Sequence, residues 1–147
     1  MASLEFLADS LIIFGKTFLY LDIIRIITSL FLATIFLQSG VDKILNWNSE
    51  IAWMSKQFEN TPLANSLQAG LFTVTILEVL GGGFSALGIL WVLFRGELSI
   101  GLVGAMFCST ALCVLMFGQR MSKNYEGAAS LVPYFIVSIL GFYFYTL

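Results

Sequence analysis

The sequence predicts an all-α integral membrane protein, a four-helix transmembrane bundle preceded by an N-terminal interfacial amphipathic helix. Two observations carry this prediction. Hydrophobic residues make up 59% of the 147 and charged residues only 11%, and mean hydropathy is +0.92, so there is too little polar surface to coat a water-soluble globule. The apolar residues also gather into four long runs separated by polar connections, each near the ~20 residues that a membrane helix needs. No length is left for a soluble domain. Residues 1–19 are expected to be an interfacial or partner-facing helix and residues 20–147 the transmembrane domain.

Taken in order, residues 4–19 are apolar but interrupted by Glu5, Asp9 and Lys16, which fall within a narrow arc of a helical wheel, the pattern of a helix lying on a membrane. Span one is expected over residues 22–45, with Tyr20, Asp22 and Arg25 at its entry and Trp47 past its exit as interfacial anchors. The connection, residues 46–69, holds Ser49, Glu50, Trp53, Met54 and Phe58, which predict a short amphipathic helix capped by Ser49 and ended before Pro62. Span two follows over residues 71–94 and carries Glu78, then Gly81, Gly82 and Gly83. Consecutive glycines weaken a helix unless another backbone comes close, so they are expected to form a packing surface.

Span three, residues 98–118, repeats small residues at Gly101, Ala105, Ser109 and Cys113, every fourth position, which predicts a small-xxx-small packing face. Gly40 in span one is expected to admit a neighbouring helix in the same way. Span four runs from residue 127 to the end, with Pro133 kinking or starting it and Tyr143 and Tyr145 at its close. Aromatic residues then sort onto two membrane faces: Tyr20, Trp91, Tyr143 and Tyr145 on one, and Trp47, Trp53 and Tyr125 on the other. Basic residues sort three against four, which leaves the orientation open.

Composition also narrows the function classes. A net charge of −2, thinly spread, offers no basic surface for nucleic acid. The N-terminus lacks the basic residues that open a signal or transit peptide, so no cleavage is expected. With no histidine in the chain, the usual ligand of haem and of catalytic zinc or copper is missing, and no intrinsic redox cofactor or metal is expected. Cys108 and Cys113 are five apart, roughly 140° around a helix at 100° per residue, and are expected to be buried apolar fillers, not a redox pair.

Candidate chemistry lies at one end of the bundle. Spans one and two are antiparallel, so Gln38 and Glu78 each sit roughly 10 Å inside the second face at 1.5 Å per residue. Lys43 has a stem long enough to lean toward Glu78, and Asp42 and Arg120 emerge on the same face. One expectation for the cluster of Gln38, Asp42, Lys43, Glu78 and Arg120 is structural: Lys43 and Glu78 form a buried ion pair that ties spans one and two together and fixes their register, with Arg120 capping a helix end. The other is a site for the polar head of a quinone or other small molecule, or a proton relay.

Three motifs, Gly40-Val41-Asp42-Lys43, Glu78-Val79-Leu80-Gly81-Gly82 and Lys123-Asn124-Tyr125-Glu126-Gly127-Ala128-Ala129-Ser130-Leu131, occur in an order and at spacings that resemble the DoxX-like small membrane proteins of bacteria. The resemblance covers residue 22 to the end. It implies four helices in the bacterial cytoplasmic membrane, with some members similar to subunits of a thiosulfate:quinone oxidoreductase and others linked to thiol and oxidative-stress functions. Lys43, Glu78 and the turn of residues 125–128 are the family-like positions, whereas Asn124 stands where relatives often carry an acidic residue and Glu126 is a bulky insertion before Gly127.

The first functional expectation is a non-catalytic accessory subunit of a larger respiratory or electron-transfer membrane complex, with lipids and other integral membrane subunits as partners. Its warrant is the small-residue faces, which offer more packing surface than four helices need. The alternative is a quinone-interacting subunit of a membrane oxidoreductase, with quinone or lipid bound at the Glu/Lys/Arg cluster and a partner supplying electrons. A solute carrier is disfavoured, because no inverted repeat or broken apolar segment is visible.

Overall fold

The computed structural model describes residues 9–13, 16–94 and 97–147. Its elements are strands β1 (Ser10–Ile13) and β2 (Lys16–Leu19), and helices α1 (Tyr20–Leu45), α2 (Trp47–Gln57), α3 (Leu67–Leu93), α4 (Ser99–Met121) and α5 (Tyr125–Thr146), with one 3-10 turn at Ala64–Ser66. Among the described residues, four helical segments are long and apolar enough to cross a membrane: Tyr20–Leu45, Ala64–Leu93, Ser99–Met121 and Tyr125–Thr146. The protein is a multi-pass membrane bundle.

Helices adjacent in the chain are adjacent in space, α3 packing on α1 and α4, and α5 closing the ring against α4 and α1. The core lies where α1 and α4 meet across this ring, with Leu32 and Phe36 buried against Ala105, Cys108, Ala111 and Leu112. Ile27, Leu30, Phe72 and Ile136 face outward, as a lipid-facing surface requires. Lipid tails are as apolar as leucine, so close packing and hydrogen bonds must hold such helices together.

Small residues provide the close packing, each in its own direction. A Cβ on Gly40 would lie 2.7 Å from Val79 Cγ2, one on Gly81 2.8 Å from Cys108 Sγ, and one on Gly82 2.8 Å from the Leu37 backbone nitrogen. Gly83 faces open space, so the three glycines do not form one surface: successive residues on a helix point ~100° apart, toward α4, toward α1 and outward. Gly88 and Gly104 on facing helices bring α3 and α4 together, and Gly101 packs against the Tyr145 ring. Ala105 is buried, and Ser109 donates to Ala105 O and to Ser138 Oγ on α5, at 2.9 and 3.0 Å.

Several expectations need correction. Residues 10–13 and 16–19 form an antiparallel strand pair, with Ser10 opposite Leu19, where a helix over residues 4–19 is expected. Ile12, Thr17 and Phe18 favour strand through their β-branched or aromatic side chains; residues 1–8 of the expected helix lie outside the described residues. Helix α2 starts at Trp47 with Asn46 at its cap position, so Ser49 lies inside it and caps nothing. Cys113 is exposed while Cys108 is buried, which separates the two thiols and takes Cys113 off the packing stripe. Pro133 lies within α5 and does not start it. The start is set by Asn124, whose side-chain oxygen accepts from the Gly127 backbone nitrogen at 3.0 Å and so satisfies a donor the helix cannot.

Candidate functional site: an ion pair beside an apolar cavity

Antiparallel packing of α1 on α3 puts Lys43 against Glu78. Lys43 Nζ lies 3.0 Å from Glu78 Oε2, and the two side chains retain 16% and 2% of their exposure. Nζ also donates to Glu78 Oε1 at 3.1 Å and to Ser39 Oγ at 2.7 Å, and Ser39 in turn donates to Glu78 Oε1 at 3.0 Å. Glu78 Oε2 takes no aligned hydrogen bond and is held as an ionic contact. The triad is closed and charge-neutral, the form in which a carboxylate and an ammonium are tolerated inside a bundle.

Lys43, expected nearer the membrane face than Gln38 and Glu78, reaches Glu78 through its long side chain, but depth does not fix the direction around the helix. Gln38 shares the depth of Glu78 and is exposed; five residues from Lys43, it points ~140° away. Asp42 is exposed and accepts from Asn46 Nδ2 at 2.8 Å. Arg120 is exposed as well, its guanidinium 4.8 Å from the centre of the Tyr125 ring. Ser39, absent from the expected cluster, was available to helical spacing, because residues four apart share a face.

Lys43 also lines a cavity of about 270 Å³ between α1, α2, the start of α3 and the end of α4. Trp53 and Met54 of α2, Phe58 just past its end, Leu67 and Leu71 of α3, and Val114 and Leu115 of α4 give it apolar walls. Gly70 is on the wall too, and a Cβ there would meet nothing within 4 Å. The polar exceptions are Lys43, Glu50, Ser66, Gln57 and Gln119. Gln57 Nε2 donates to Gln119 Oε1 at 3.1 Å and to Ser122 Oγ at 2.8 Å, which ties α2 to the end of α4. Gln57 Oε1 is buried with no hydrogen-bond partner among the described residues. No signal in the sequence pairs Gln57 with Gln119, 62 residues apart.

A second polar cluster holds the opposite end. Arg25, 4% exposed, donates from Nε to Phe144 O at 2.9 Å and pairs with Asp22 at 3.0 Å. The Phe144 carbonyl is among the last four of α5, which have no partner within their helix, and a cation there also suits the helix dipole. Tyr145 is buried, its hydroxyl 2.8 Å from Ser29 Oγ. Arg25 and Tyr145 are therefore a clasp between α1 and α5, not members of an interfacial belt; Tyr143 remains exposed.

No family model, curated protein or solved structure matches the chain.

Proposed function

We propose that this chain binds the polar head of a lipid-soluble small molecule, a quinone or a lipid, at the end of the bundle where Lys43 meets Glu78. The observation that carries the reading is Lys43 itself, held by Glu78 and at the same time lining an apolar cavity. An apolar pocket with a few convergent polar groups is the usual form of a small-molecule site, and 270 Å³ is just below the roughly 300–1,000 Å³ such sites span. Lys43 Nζ has Ser39 Oγ and both Glu78 oxygens within 3.1 Å, so an oxygen of the bound head would share or displace one of these contacts.

Gly70→Leu tests this reading, since the new side chain fills the cavity from a position where a Cβ meets nothing. The wild-type protein, gently solubilised from its native membrane, is expected to release a lipid-soluble ligand on extraction, and Gly70→Leu to lose it while remaining folded. Identical extracts from the two proteins, by mass spectrometry, would sink the reading.

A second reading rests on the strand pair. Leu11 and Ile12 on β1 are 44% and 73% exposed outside the helical bundle, and a two-stranded sheet has open edges that invite pairing. On this reading the chain is an accessory subunit of a larger respiratory or electron-transfer complex in the bacterial cytoplasmic membrane, in keeping with the DoxX-like motifs. Affinity isolation under mild detergent is then expected to recover stoichiometric partner subunits, and a stable free monomer would count against it. Gly81 and Gly82 add no support, because their close contacts lie within the bundle.

A further inference from the structure

We infer that the cavity beneath α2 takes a small lipophilic amine, a single ring or short chain carrying one ammonium group, and that the Glu50 carboxylate is its counter-ion. The inference rests on the cavity being a binding site and selects, among lipid-soluble molecules, those with a cationic head. Lys43 Nζ has Ser39 Oγ and both Glu78 oxygens within 3.1 Å, so the charge of this cation is already met. Glu50 lines the same cavity, and its charge is not met: among the described residues the ion pairs are Lys43–Glu78 and Asp22–Arg25. Both Glu50 carboxylate oxygens keep accessible surface, because the buried side-chain oxygens without a partner are those of Gln57 and Glu78.

Charge decides what fits. Glu50 is near enough to Glu78 for the two carboxylates to act on each other, which puts its charge at the Lys43–Glu78 end of the cavity. Two carboxylates against the Lys43 ammonium leave that end negative. The first turn of α2, where Glu50 sits, offsets only about half an elementary charge through its helix dipole. A ligand cation completes the balance without breaking a contact, whereas an anion would have to displace Glu78 from Lys43 and meet Glu50 as a like charge. Trp53, Phe58 and Phe117 on the wall suit a cation as well as an alkyl group, since aromatic rings attract positive charge over their faces. Size sets the rest: an apolar cavity of about 150 Å³ admits benzene, so 270 Å³ takes a ring with about four further heavy atoms at roughly 30 Å³ each.

Trp53 provides the readout. With Trp47 and Trp91 changed to phenylalanine, the protein in a neutral detergent would be titrated with 4-bromobenzylammonium, 4-bromobenzoate and 1-bromo-4-ethylbenzene, rings within that size, and bromine quenching of Trp53 followed to saturation. The ammonium is expected to bind about tenfold more tightly than the benzoate, a comparison that needs no variant to fold. Glu50→Gln is expected to weaken the ammonium about tenfold and to leave 1-bromo-4-ethylbenzene unchanged. Glu59→Gln, which removes an exposed carboxylate off the cavity wall, is expected to change neither, so a diffuse surface field is recognised. Benzoate binding as tight as that of the ammonium, an ammonium affinity that Glu50→Gln leaves intact, or an equal loss in Glu59→Gln overturns the inference; saturable quenching that Gly70→Leu removes would still mark the cavity as a binding site. No saturable quenching by any probe overturns both.

Discussion

At the scale of single residues, the Lys43–Glu78 pair is the most exacting feature of the bundle. With Glu78 at 2% exposure, removing one partner strands the other charge away from water, a loss of about 3–5 kcal/mol for buried pairs. Lys43→Met is therefore expected to lower the unfolding free energy by about that amount, and Lys43→Met combined with Glu78→Leu to recover most of it. Denaturation in mild detergent measures both. Tyr145→Phe tests the other end: Ser29 loses its 2.8 Å partner, and the expected cost is about 1 kcal/mol. Lys43 and Glu78 were legible in the sequence because charges in apolar runs are rare. Ser39 needed only its four-residue spacing from Lys43, whereas Gln57 and Tyr145 were not legible, since an amide and an interfacial tyrosine are unremarked until their partners are known.

At the scale of helices, α3 shows what a glycine run can hide. Gly81 sits against Cys108 and Gly82 against Leu37, but Gly83 meets nothing within 4 Å. Gly81→Ala is expected to destabilise the protein by about 1–3 kcal/mol through overpacking. Gly83→Ala should instead stabilise it by up to about 1 kcal/mol, because alanine holds a helix better than glycine and no neighbour objects; thermal melts of the two variants give opposite shifts. The strand pair carries a similar lesson. Asp9 and Lys16 fit one arc of a helical wheel, but residues 10–13 and 16–19 pair as strands, and short apolar stretches satisfy either period.

At the scale of the whole molecule, four successive crossings place both ends of the bundle on one membrane face and α2 with the α4–α5 turn on the other. The hydrogen bonds of Gln57 to Gln119 and Ser122 join those two connections directly. In a chain carrying Cys108→Ala and Cys113→Ser, the single-cysteine variants Lys56→Cys and Leu147→Cys are expected to react with a membrane-impermeant maleimide from opposite sides of sealed vesicles. Labelling from the same side would refute the four-span topology.

Hydrophobicity and run length alone determined that this chain crosses a membrane four times, because each helix must satisfy its own backbone hydrogen bonds in lipid and the length needed to do so is written locally. The same reasoning placed Gln38 and Glu78 at one depth, with Lys43 nearer the face and able to lean toward Glu78. Azimuth, by contrast, belongs to the packed bundle: which way each glycine faces, that Gln38 and Arg120 point out while Ser39 points in, and that Arg25 reaches the last turn of α5. The cavity is tertiary in the same sense. Its walls come from four helices, two of which are tied together where Gln57 meets Gln119 and Ser122.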